Sequence, residues 1–154
     1  MPNDNPQTAL PKANISIVTL GVANLADSTA FYEKLGWVNT KASQDSVTFL
    51  QGHSVVLGLY PHTALAEDAG VEVTSVGFRG VSLAINLPSE QDVDDFFSRA
   101  VSAGAHPQKP PEKVFWGGYS GYFADGDGHL WEVAYNPFFE GDTSSGQLSL
   151  QPKE

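Results

Sequence analysis

Apolar positions along the chain change their spacing several times, and each change outlines an element. Residues 15–22 are rich in Ile and Val and read as a β-strand. Asn24 then offers a helix N-cap, with Asp27 at the third helical position. Phe31, Tyr32 and Leu35 recur at helical spacing, and Gly36 supplies the left-handed stop. Short strands follow at 37–40, 46–51 and 54–60, the last two joined by a turn through Gln51, Gly52 and His53. Residues 61–79 are less regular and read as a connector, with a short helical turn around 64–69.

The pattern then restarts. Residues 81–87 read as a strand, and Ser89 with Asp92 repeats the capping signature. Val93, Phe96, Phe97, Ala100 and Val101 mark one helical face, and Gly104 ends it. Three more strands are expected at 106–109, 118–124 and 130–135. The order strand, helix, glycine stop, three strands therefore occurs twice, and such a duplication outranks any single element. It predicts an irregular arm at 1–12, a first βαβββ module at 13–60, a connector at 61–79, a second module at 80–136 and a tail at 137–154. The predicted fold class is α+β. Each half alone exposes one side of a short sheet, so two halves are expected to curl into one open mixed β-barrel, helices outside and a central cavity inside.

Charge and composition then narrow the function. With 18 acidic against 8 basic side chains, the net charge is -10, which repels phosphate backbones and anionic lipid. Nucleic-acid and membrane-surface roles are excluded on that ground. The absence of cysteine removes disulfides, thiolate nucleophiles and Cys-based zinc sites together. No leader pattern or membrane-length apolar run is visible, so a cytoplasmic location is expected.

The residue that most needs an explanation is Glu132. Asp125, Gly126, Asp127, Gly128 and His129 make a tight acidic turn, and the strand after it places Leu130, Glu132 and Ala134 on one face. A carboxylate among large apolar neighbours is costly unless water, a partner or a ligand meets it. Pairing through the turn would set Tyr122 beside it. Trp116, Tyr119, Tyr122 and Phe123 surround Gly117 and Gly118, a composition that suits either the wall of a planar-ligand pocket or the filling of a small core. His53, His62, His106 and His129 are expected in solvent-facing loops, away from the face of Glu132. Asp125 and Asp127 lack the spacing of a calcium loop and read as turn formers.

Two motifs carry a resemblance to a known family. One is VANLADS at 22–28 with FY at 31–32 and LG at 35–36; the other is FWGGYSGYFADGDGHLWEV at 115–133. In this duplicated topology the chain resembles the vicinal oxygen chelate superfamily, the glyoxalase, bleomycin-resistance and extradiol dioxygenase group, over about residues 14–137. The family's proline after the first turn aspartate is Gly126 here.

The resemblance implies a cavity that, in the enzymes, holds one divalent metal through four inward His, Gln or Glu side chains. Carried over by position, those fall at Ile17, Gly58, Ile85 (with Val81 as the other register) and Glu132. Aliphatic side chains cannot coordinate a cation, and one carboxylate holds one weakly. The expectation is therefore no cofactor and a homodimeric, non-enzymatic binder of a small planar or apolar molecule. Glu132, Tyr122, Trp116, Tyr119, Tyr60, Ile17 and Ile85 are its candidate lining. A metal-dependent lyase, isomerase or dioxygenase is the first alternative, and an interaction module with a filled cavity the second.

Overall fold

A computed structural model describes residues 14–73 and 77–139, together with Leu148, Leu150 and Lys153. The predicted arm at 1–12, and the predicted tail beyond 139 apart from those three residues, lie outside the described residues.

The first half runs β1 (Ile17–Val22), α1 (Leu25–Lys34), β2 (Val38–Asn39), β3 (Thr48–Gln51) and β4 (Val56–Pro61). The connector contributes α2 (His62–Ala69). The second half runs β5 (Leu83–Asn86), α3 (Glu90–Ser102), β6 (His106–Lys113), β7 (Tyr119–Ala124) and β8 (Leu130–Tyr135). Each half builds one four-stranded mixed sheet, in the orders β1-β4-β3-β2 and β5-β8-β7-β6. The first strand of each half pairs in parallel with the last, and the hairpins between them are antiparallel. The α+β class and the duplication stand.

Local chemistry explains the helix limits. Asn24 is extended and its side chain accepts from the Asp27 amide at 2.9 Å, satisfying an orphan donor of the first turn. Gly36 at φ 102° lets the chain turn back, so that the Trp37 amide reaches the Tyr32 carbonyl. In α3, Ser89 Oγ accepts from the Asp92 amide and donates to its carboxylate, a reciprocal cap. Gly104, also left-handed, lets the Ala105 amide close on Ala100.

One apolar cluster joins the halves. Leu20, Val22, Leu57 and Leu59 from the first sheet meet Phe31 and Tyr32 of α1, while Phe123, Trp131 and Val133 meet Val93 and Phe97 of α3. The seam is aromatic: the Trp131 ring lies 5.9 Å from that of Tyr32, 6.2 Å from that of Trp37 and 6.3 Å from that of Phe123. Burying side chains of this size stabilises by about 1.5–3 kcal/mol each, so this seam is a large share of what holds the halves together.

The strands do not close into a barrel; among the described residues no ladder hydrogen bond links the two sheets. The physical reason is that α1, α3 and one face of each sheet are spent on this shared core. The opposite faces are left open, and the outward-facing Ile17 is 47% exposed. The predicted interior cavity is thus two open sheet faces in the single chain.

Candidate functional site

Glu132 lies on the open face of the second sheet. The β7–β8 register sets Tyr122 directly opposite it, and the β5–β8 register sets Ala84 on its other side. Both Glu132 and Tyr122 are half-buried. The Tyr122 phenol is raised above its ordinary range, first by burial and then by the negative charge of Glu132. The pair therefore offers a phenol donor and a carboxylate acceptor side by side. Ser120, Ala124 and Ala134 around it are small, which leaves the face shallow.

The other candidates divide by strand parity. Ile17 lies on the open face of the first sheet beside Gly58, whose added Cβ would stand 3.5 Å from Ile17 Cγ2. Tyr60 pairs with Gly21 on that same face, where it is half-buried. Ile85 pairs with Val133 and points into the core, away from Glu132. A slip of one residue changes faces in a strand, and Ala84 is the residue that shares the face of Glu132. Tyr119 also turns to the core side, where its hydroxyl donates to Asp94 of α3 at 2.6 Å. Trp116 precedes β7 and lays its ring against Gly118, where an added Cβ would come within 1.9 Å of it. Thus Glu132 and Tyr122 are brought together, Ile17 and Tyr60 share the other sheet's open face, and Ile85, Tyr119 and Trp116 join neither group.

The acidic turn does more than turn. Asp125 is buried at 5% exposure, and both of its oxygens are engaged. Oδ2 accepts from the Tyr32 hydroxyl at 2.6 Å, and Oδ1 accepts from the amides of Asp127 and His129. Trp131 Nε1 donates to the same Tyr32 oxygen. Asp127 Oδ1 accepts from the Ala23 amide at 2.8 Å, so the turn also holds the end of β1. His129 is part-buried rather than solvent-facing. Its Nε2 donates to the Gly21 carbonyl at 2.7 Å, which leaves Nδ1 to accept from Arg79 at 3.4 Å. His106 is the second departure among the histidines. It opens β6 opposite Ala124 and so sits on the sheet face that carries Glu132. The signal that could have found this seam was the pairing of FY in the first motif with DGDGH in the second, two polar-bearing motifs in separate halves.

Two clefts are each lined in part by residues of β1 and β5. One, of about 860 Å³, runs along β1 and is lined by α2, residues 77–83 and the β7–β8 turn. The other, of about 410 Å³, lies between Ile15, Trp37, His53, Ile85 and Trp131. Neither is lined by Glu132 or Tyr122.

A four-ligand metal centre does not fit these residues. Ile17, Gly58 and Ala84 carry no donor, and among the described residues no group of three or more His, Asp or Glu is placed to hold an ion. Among the described residues no helix is long and apolar enough to cross a membrane.

The Glyoxalase/Bleomycin resistance protein/Dioxygenase superfamily profile matches residues 14–133, and the chain belongs to that superfamily. Its fold is shared with a glyoxalase-related enzyme from Fulvimarina pelagi at 34% identity and a TM-score of 0.78, over 90% of this chain and 99% of that one. A glyoxalase/bleomycin resistance protein/dioxygenase from Nocardioides follows at 24% identity and TM-score 0.70, over 87% and 93%. A family enzyme from Burkholderia phytofirmans PsJN stands at 19% and 0.68, over 80% and 98%. No curated protein matches the chain significantly.

Proposed function

We propose that the protein is a metal-independent binder of a small, flat, largely apolar molecule, acting in the cytoplasm as a homodimer. The observation that carries this reading is the donor set: Glu132 faces Tyr122 and Ala84 on a half-buried sheet face where a metal enzyme needs several ligands. Glu132 serves as acceptor for an N–H or O–H of the ligand, Tyr122 as donor, and the ring of Tyr122 as a flat apolar surface. The dimer is supported by the free edges of β1 and β5 and by Ile17 and Val81, which are 47% and 63% exposed. A second copy laid against the open faces would cover these groups and deepen the shallow site.

The test has two arms. Protein incubated with divalent ions and freed of excess is assayed for metal per chain, and 2-naphthamide is titrated into wild type and Glu132→Gln. The expected result is no stoichiometric metal, with naphthamide binding that weakens about tenfold in the variant while the fold is kept. One tightly held ion per chain, or equal affinity in the two proteins, overturns the reading.

A further inference from the structure

The cleft along β1 gathers hydrogen-bond donors around one arginine in an acidic protein. Three of the four histidines line it, His62, His106 and His129, together with Arg79, while Asp125 is the one carboxylate residue lining it among the described residues. The Asp125 oxygens are turned inward and occupied by Tyr32 and two amides, so its acceptor sites are already filled. Arg79 is not. Its Nη1 bonds the neutral His129 ring and its Nη2 the Asp127 carbonyl at 3.2 Å, and no carboxylate pairs with it among the described residues. A guanidinium has five donors in a fixed fork, and here two are used on neutral acceptors that also aim it. In a chain carrying -10, this exposed arginine has two contacts, no paired carboxylate among the described residues, and donors left over for an anion.

The surroundings state what else the anion carries. Leu65 of α2, Phe78, Val81, Leu83 and Leu130 supply apolar wall, and a volume of about 860 Å³ admits a molecule larger than an inorganic ion. His62 closes one side, its ring close enough to Gly21 that an added Cβ would come within 2.7 Å of Nδ1. The ring nitrogens of His62 and His106 make no hydrogen bond to a described residue and remain available to a ligand.

We infer that this cleft binds a small organic anion, a carboxylate or similar group on an apolar body, with Arg79 taking the anionic group in its fork and His62 and His106 as further donors. His129 is a positioning residue: it ties the Gly21 carbonyl to the guanidinium and fixes the direction of the fork. Neither Glu132 nor Tyr122 lines this site, although His106 and Leu130 share their sheet face.

The test compares 2-naphthoate with 2-naphthamide, two probes of one shape and different charge, by amide chemical-shift titration of the full chain. The expected result is saturable binding of naphthoate, with shifts centred on Gly21, His62, Arg79 and Leu130. Arg79→Gln should weaken it about tenfold and Arg79→Lys less than that. His129→Ala should also weaken naphthoate, and should erase the difference between Arg and Lys at position 79. Equal affinity of the two probes for the cleft, an unchanged affinity in Arg79→Gln, or no binding of naphthoate overturns the inference. Naphthoate shifts confined to Tyr122, Glu132 and Ala134 also overturn it, while leaving the Glu132 reading intact.

Discussion

The hydroxyl of Tyr32 donates to Oδ2 of Asp125 across 93 positions of sequence, at 2.6 Å, inside the core that joins the two halves. The same oxygen receives Trp131 Nε1 at 3.1 Å, so one phenol satisfies a buried acid and a buried indole together. Removing it leaves two buried polar groups short of a partner. Tyr32→Phe is therefore expected to lower the unfolding free energy by about 2–4 kcal/mol, more than a single hydrogen bond contributes. Urea denaturation of wild type and variant measures it, and a loss below about 1 kcal/mol would mean that water replaces the hydroxyl.

Alkaline pH should act on the same contacts. Burial lifts the Tyr32 phenol well above its ordinary 10.0, with the charge of Asp125 adding to it. The hydrogen bond to Asp94 leads the causes that push Tyr119 up to about 12. A raised acid in the folded state binds its proton more tightly there than in the unfolded chain. Its contribution is thus complete below about pH 10 and is lost as pH rises through and beyond that value. Stability should fall between about pH 10 and about pH 12, and less steeply in Tyr32→Phe. Denaturant midpoints across that range decide it; parallel slopes for the two proteins would contradict the assignment.

Gly121 sits where β7 passes β6. An added Cβ would meet Pro111 N at 2.7 Å and Lys109 O at 2.8 Å, both backbone atoms that cannot rotate aside. Gly121→Ala should cost about 1–3 kcal/mol and loosen the pairing of these strands. Hydrogen exchange at the paired amides of β6 and β7 should quicken in the variant, and unchanged exchange would show that β6 shifts freely.

Glu132 and Tyr122 offer a direct electrostatic check. Since the carboxylate is one cause of the raised phenol, Glu132→Gln should lower the Tyr122 pKa toward its ordinary value. Phenolate absorbance against pH, corrected with a Tyr122→Phe control, reports it. A titration that does not move would place the two side chains apart in solution.

Much of the fold was legible because its signals are local. Asn24, Gly36, Ser89 and Gly104 each act within a few residues of themselves, and all four do in the structure what their positions predict. Residues 130–135 alternate so regularly that the strand was bounded without error. The strand expected at 106–109 ends just before Pro110 and Pro111, yet β6 continues to Lys113. It lies at the sheet edge with an irregular register, where a missing amide proton costs little. Ile85 went to the wrong face through a one-residue slip in a short strand. His129 and Asp125 were read as turn residues only, because their partners Gly21 and Tyr32 belong to the other half. Nothing local announces such contacts, and the same holds for Arg79 and the histidines around the β1 cleft.

The two halves, then, are joined by side chains packed across a seam and by an acidic turn that reaches over it, with no ladder between their sheets among the described residues. Peptide continuity through the connector adds proximity but no structural bond of either sheet. A break in the backbone just after α2 would leave each piece with a complete sheet, a capped helix and half of the interlocking surface. The chain is in that sense already a two-part assembly written as one, suited to expression as complementing fragments whose reunion reports on the seam itself.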